Sequence, residues 1–355
     1  MAKPKTHNFT NNMRVAMYYN NRDVRVEELP IPKIGPGEIL IRVEASGVCG
    51  SDVMEWYRLP KAPLVLGHEV AGEVVEVGED VRKFKKGDRV IATHHVPCNT
   101  CYFCLRGNHS ACNTLRTTHF DPGGFSEYIR VPAINVDRGV FVLPDEVSYE
   151  EGSFVEPLGC AIRGQRMARF EMGSSVLVMG SGITGLLHIQ LACAQGAGRV
   201  MATDINEYRL KAALRFGAEA AIQANENVAK QLCEINEGRL ADMVIVCTGS
   251  TSAIEQALTL VEKGGTILFF APTDPDVKIP LPFNEVWWNG ITMTSSYAAA
   301  PADLALAVEL IRAGRVNVKD MVTHRLPLAE TGRAFQMVVE AKDSIKVIIE
   351  PQRRV

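Results

Sequence analysis

Between residues 173 and 295 short apolar runs alternate with helical ones, and a glycine-rich turn joins the first pair. Ser175–Met179 predicts a strand and Ile183–Gln195 a helix, with Gly180-Ser181-Gly182-Ile183-Thr184-Gly185 at the junction. Arg199–Thr203, Met243–Cys247, Thr266–Phe270 and Ile291–Ser295 predict further strands, with helices over Glu207–Phe216 and from Thr251. Strands separated by helices pair in parallel, and the helices cover both faces of the sheet. The expected class is therefore α/β.

The G-x-G-x-x-G run sits where such a sheet binds a dinucleotide. Gly180 makes the tight turn, Gly182 lets the backbone approach a pyrophosphate, and Gly185 allows close helix–strand packing. The free N–H groups of the helix start, at Ile183 and Thr184, face the anion. Asp204 ends the second strand, 19 residues after Gly185, where an acid accepts hydrogen bonds from the adenosine ribose. Its charge repels a 2′-phosphate, which predicts NAD rather than NADP. Arg209 would meet a 2′-phosphate if it turned inward, but its helical position points it to solvent. Cys247 and Thr248, where the strand Met243–Cys247 ends, complete the candidate cofactor residues. Cys247, like Cys160, Cys193 and Cys233, also reads as a small core residue.

The first 150 residues are β-rich: Ile39–Val43, Glu73–Val77, Arg89–Ala92 and Tyr128–Val131 are punctuated by glycine and proline turns. Met13 opens a natural strand, and residues 1–12 read as a polar tail. Within this part Cys98, Cys101, Cys104 and Cys112 form C-x2-C-x2-C-x7-C. Four thiolates in one loop suit a closed, structural zinc. Two disulfides or an iron–sulfur cluster are the alternatives, though the ferredoxin run has a gap of three before its last cysteine and a proline after it. Nine cysteines, an odd number, and no apolar leader predict a reducing cytoplasm. A net charge of -3 leaves no basic field for nucleic acid or an anionic membrane. No apolar stretch approaches the roughly 18 residues that span a bilayer.

Cys49-Gly50-Ser51-Asp52 and Gly67-His68-Glu69 form a second candidate metal set. Thiolate, imidazole and carboxylate together suit a zinc that keeps a position open. Glu156, in Val155-Glu156-Pro157-Leu158, is an acid in an apolar segment, where a nearby cation would offset its burial. His94, His95, His119, Asp121, Trp287 and Trp288 read first as packing, loop or interface residues, and Arg82–Lys86 as a solvated turn.

With these motifs together the chain resembles the zinc-dependent medium-chain dehydrogenase superfamily, most closely its sorbitol and L-threonine dehydrogenase branch. V-C-G-S-D at Val48–Asp52, G-H-E at Gly67–Glu69, the cysteine lobe, E-P-L at Glu156–Leu158, the glycine motif and V-T-H-R at Val322–Arg325 carry the resemblance. It implies a GroES-like β-rich catalytic domain, residues 13–159 and 298–355, with the zinc lobe at about 94–116. A doubly wound Rossmann domain, 160–297, is inserted between the two parts, and homodimers or homotetramers form through Ile291–Ser295. It implies two zincs per subunit and NAD. Cys49 and His68 would hold the catalytic zinc; either Glu69 or Glu156 would complete it, with Glu69 expected in the resting enzyme. Ser51 would hydrogen-bond the alcohol and begin the proton's exit. The implied reaction is hydride transfer from a secondary alcohol of a polyol, cyclitol or sugar alcohol to the nicotinamide, with L-threonine-like amino alcohols as the alternative. A non-catalytic NAD-binding protein is the third reading, but it would need none of Cys49, Ser51, His68 or Glu69. Three positions depart from the pattern: Met54 replaces a proton-relaying histidine, Glu55 a tyrosine, and Ser296, before Tyr297, an arginine.

Overall fold

The computed structural model describes residues 12–354. The N-terminal part contributes β1 (Asn12–Asn20), β2 (Asp23–Pro30), β3 (Ile39–Gly47), β4 (Leu64–Val65), β5 (Glu69–Val77), β6 (Arg89–Thr93), β7 (Tyr128–Val131) and β8 (Val140–Val142). The middle contributes β9 (Ser175–Met179), β10 (Arg199–Asp204), β11 (Ala220–Gln223), β12 (Ala241–Val246), β13 (Val261–Phe269) and β14 (Thr292–Ser295). The C-terminal part adds β15 (Val322–Pro327) and β16 (Lys346–Glu350). Of the segment read as a tail, only Asn12 lies among the described residues, and it opens β1.

The middle strands form one parallel sheet in the order β11-β10-β9-β12-β13-β14. Every residue of β9 is buried, because helices lie on both faces. Strand order reverses between β9 and β12, which opens a crevice at their C-terminal ends. The expected strands are all present, and β11 and the helix Val228–Ile235 add to them. Ala-Ala-Ile-Gln is too short and too poor in branched residues to announce itself as a strand. The helix expected over Leu304–Ala313 starts earlier, at Pro301, because Asp303 accepts the Ala300 N–H and proline suits a first turn.

Seven strands form the second large sheet, along β15-β16-β3-β5-β6-β8 with β7 also on β3. β16 lies antiparallel to β3, with Ile348 opposite Gly47, so the C-terminal segment completes a sheet begun 300 residues earlier in the chain. The helix Val155–Met167 packs on β5, on β14 and on the helix Pro301–Arg312. One apolar cluster accordingly runs from Ala45 and Ala71 of the first part to Val176 and Leu186 of the Rossmann unit. No helix of the described residues is long and apolar enough to cross a membrane.

Candidate active site and metal centres

The antiparallel pairing of β3 and β5 sets Gly47 opposite Glu69, and the two loops leaving that pair carry Cys49 and His68. Cys49 caps a short 3-10 turn, Gly50–Val53: its sulfur accepts the Ser51 N–H at 3.5 Å while Asp52 accepts the Cys49 N–H at 3.0 Å. Gly67 delivers His68 from a backbone with φ of +94°, where a side chain would also press on the Phe125 amide at 2.7 Å. Cys49, His68 and Glu69 each present a ligand atom within 4.8 Å of the others.

Asp52 is fully buried, and its carboxylate meets His68 Nδ1 at 3.3 Å and Arg58 at 3.5 Å. Burial opposes its charge, yet His68, Arg58 and the Cys49 N–H together hold its carboxyl below the usual range. Burial likewise opposes a charge on His68, and Asp52 with Cys49 raises its pKa well above the ordinary value. A carboxylate on Nδ1 fixes the ring and turns Nε2 toward the cysteine, the arrangement that metal-binding histidines use. Arg58 also donates to the Ser51 carbonyl at 2.9 Å and to its hydroxyl at 3.3 Å. The Ser51 hydroxyl in turn lies 3.4 Å from the Cys49 sulfur.

Glu69 is paired with the fully buried Lys346 at the head of β16, whose ammonium also donates to the Val48 carbonyl at 3.2 Å. Gly47 makes this possible, since a Cβ there would collide with both side chains. Sequence reasoning assigned Lys346 no role; the one signal was a lysine opening the otherwise apolar run Lys-Val-Ile-Ile.

Glu156 lies outside the three-residue cluster, in the first turn of the helix Val155–Met167, and burial pushes its carboxyl above the usual range. One turn on, the Cys160 thiol donates to it at 3.5 Å. The reading of Cys160 as plain core is thereby corrected: it lies at the site because positions i and i+4 share a helix face. Cys193 is corrected too, being exposed. His94 and His95 stack at 3.6 Å between ring centres, and His94 lies 4.8 Å from His68. Packing residues they are, yet they wall the site, and His95 reaches Tyr297 at 5.9 Å. Burial, then the neighbouring cationic groups, hold His95 down to about 3. Asp121 is a loop residue, paired with Arg130 at 3.0 Å.

The sulfurs of Cys98, Cys101, Cys104 and Cys112 also lie within 4.8 Å of one another. Cys98 and Cys104 stand 3.9 Å apart, and backbone N–H groups point at Cys98 and Cys112. Hydrogen bonds from Thr100 draw the Cys98 thiol down to about 5, whereas burial pushes Cys104 up to about 12. Four thiolates in so small a space require a cation, and the set fits zinc. The set at Cys49, His68 and Glu69 fits a zinc with an open position, from its mixed donors and its oriented histidine.

At the sheet's crevice Gly180 has a φ of +91°, and a Cβ on Gly185 would collide with the Gly180 carbonyl. Gly180 also approaches Cys247 and Thr248 at the end of β12, so the two strand ends flank one groove. Asp204 is buried and accepts the Ser181 N–H at 2.7 Å and the Asn206 N–H at 2.8 Å. A carboxylate has about four acceptor sites, which leaves capacity for ribose hydroxyls. Arg209 corrects the expectation of a solvent-facing side chain: its guanidinium lies 3.6–3.9 Å from where a Gly182 Cβ would stand, and its Nε has no partner. An open Gly182 and an unpaired guanidinium fit a phosphate-bearing cofactor.

Comparison with known proteins agrees with this geometry. The alcohol dehydrogenase GroES-like domain matches residues 35–144, and the zinc-binding dehydrogenase family matches 184–313. A sorbitol dehydrogenase of Bacillus subtilis is 32% identical over 363 residues, covering 98% of this chain and 100% of that protein. An L-threonine 3-dehydrogenase of Bacillus licheniformis is 34% identical over 334 residues, covering 92% and 94%. A crystal structure described as a zinc-binding dehydrogenase from Sinorhizobium meliloti 1021, bound to NADP, superposes with a TM-score of 0.86 at 26% identity and covers 96% of this chain and 100% of that one. The chain, with its GroES-like and Rossmann parts and its paired cysteine and histidine sites, belongs to the zinc-dependent medium-chain alcohol dehydrogenases, in their sorbitol and threonine dehydrogenase branch.

Proposed function

We propose that this enzyme oxidises a secondary alcohol of a polyol, cyclitol or sugar alcohol with NAD. The observation that carries the reading is the cluster of Cys49, His68 and Glu69 beside Ser51, on a chain that also has a dinucleotide crevice. The sorbitol dehydrogenase relative supports a polyol; Asp204 at the adenosine end supports NAD, whereas Arg209, turned inward over Gly182, is the group that would meet a 2′-phosphate if NADP were the cofactor. One zinc would be held by Cys49, His68 and Glu69 and a second by the four cysteines. When bound at the first site, zinc supplies the Lewis acidity that lowers the pKa of an alcohol.

The chain's own groups constrain the proton. Ser51 Oγ accepts from Arg58, and a guanidinium has no acceptor through which to take a proton onward. Met54 offers none either. The Ser51 hydroxyl therefore passes the alcohol's proton to a ribose hydroxyl or to water. Arg58 also places a cation beside the Ser51 hydroxyl, whereas Ser296 stands at the position where the family resemblance implies an arginine.

The exposed edge strand β14 and the exposed Phe283, Trp287 and Trp288 beside it support a homodimer or homotetramer, and β16 on β3 supports a catalytic domain divided as 13–159 and 298–355. Free thiols throughout support a cytoplasmic setting. NAD reduction followed across polyols, cyclitols, simple alcohols and L-threonine tests the proposal. Turnover confined to L-threonine would transfer the assignment to the amino-alcohol reading that the second relative supports.

A further inference from the structure

A cavity of about 280 Å³ lies where the cysteine lobe meets the helix Val155–Met167 and the end of β14. Ser110, Arg116, Arg163, Ser295 and Ser296 line it, and none of the glycine-motif residues, Asp204 or Arg209 does. Arg163 is only 2% exposed. Its five N–H donors are poorly used. One nitrogen reaches His109 Nδ1 at 3.5 Å, another the Gly107 carbonyl at 3.3 Å, and Nε has no partner. Among the described residues no carboxylate pairs with it. Asp303, the acid whose field reaches it, is taken by Arg166 at 2.8 Å and by the Ala300 N–H. The buried Ser296 hydroxyl also lacks a partner. Arg116 adds a second cation, with its Nε on the Ser110 carbonyl at 3.1 Å.

We propose that this cavity binds a small oxyanion, a phosphate or carboxylate group, on Arg163 and Ser296. A buried guanidinium without a counter-charge is destabilising, and a neutral guest would leave its charge in place. A planar fork of donors matches two oxygens of a carboxylate or phosphate, and a hydroxyl can serve a third. The seam has a route to the active site: Ser110 donates to the Tyr297 carbonyl at 2.6 Å, and the Tyr297 ring faces His95.

The test uses the full-length, zinc-loaded protein at constant ionic strength. Inorganic phosphate and acetate are titrated by calorimetry and by thermal shift. Saturable binding and a rise in Tm are expected for at least one of them. Arg163→Met should weaken that binding by about tenfold or more, as expected for losing charged hydrogen bonds. Without the anion the same variant should melt no lower than the parent, because an unpaired buried charge has been removed. Ser296→Ala should weaken binding by a few fold, and it keeps the test open if Arg163→Met does not fold. Where Arg163→Met weakens the binding, competition between phosphate and the alcohol would assign the oxyanion to the substrate, and non-competitive behaviour to a separate effector. Absence of saturable binding, or equal binding by Arg163→Met and the parent, overturns the proposal.

Discussion

The cysteine lobe and the candidate active site each gather a set of side chains that could hold a metal, and they are assembled in opposite ways. The lobe takes four identical ligands from fifteen consecutive residues, so its geometry is settled by local turns. The active site draws Cys49 from the end of β3, His68 and Glu69 from the start of β5, Glu156 and Cys160 from a helix, and Lys346 from β16. Its ligands are mixed, and supports stand behind them: Asp52 and Arg58 behind His68 and Ser51, and Lys346 behind Glu69. A site that must keep one position open cannot saturate its metal with protein groups, so its rigidity comes from the residues behind the ligands.

The contrast is most severely tested at Cys49. Cys49→Ala should lose one zinc per subunit and reduce kcat/KM by roughly 10³-fold or more while circular dichroism stays unchanged. Retained turnover would remove the active site from this cluster. Next comes the buried ion pair: in the zinc-free protein Lys346→Met should cost about 3–5 kcal/mol in chemical denaturation, because it strands the Glu69 charge. Adding Glu69→Gln should recover most of that loss, and failure to recover it would mean that Lys346 acts by packing alone. In the lobe, Cys112→Ser should lose the other zinc and lower Tm, with kcat/KM falling by about 10–100-fold through the Ser110–Tyr297 contact. A loss as complete as that of Cys49→Ala, with the fold intact, would erase the division between the two regions. The smallest effect is expected at the cofactor: Asp204→Ala should lower kcat/KM with NAD by roughly tenfold and narrow the preference over NADP, since hydrogen bonds to the ribose are lost together with those Asp204 accepts from the Ser181 and Asn206 N–H groups. A parent enzyme faster with NADP would reverse that assignment.

The same contrast explains what the sequence disclosed. The glycine turn, the cysteine lobe, and Cys49, His68, Glu69 and Glu156 lie in short motifs that single them out as candidates, and the family resemblance supplies their implied roles. The parallel sheet was legible from its alternation of strands and helices. Lys346 was not, because its meaning depends on a partner 277 residues away and on the missing side chain of Gly47. Cys160 reads as core in the sequence, because its thiol faces Glu156 only once the segment is helical. Helix position alone sends Arg209 to solvent; the absent side chain of Gly182 leaves room for it to turn inward. Arg163 carries no motif. It becomes conspicuous only when burial and the absence of an acid are seen together.

The pairing of Glu69 with Lys346 also fixes an order of events during synthesis. At the usual elongation rates the ribosome needs on the order of 14–55 s to cover the 277 residues between them. During that interval β3 has no β16 beside it, and Glu69 has no counter-charge. The Rossmann strands, complete by Ser295, can close on one another well before then. The nucleotide crevice can therefore form on the nascent chain before β16 is made, whereas Glu69 gains its counter-charge only once β16 has arrived.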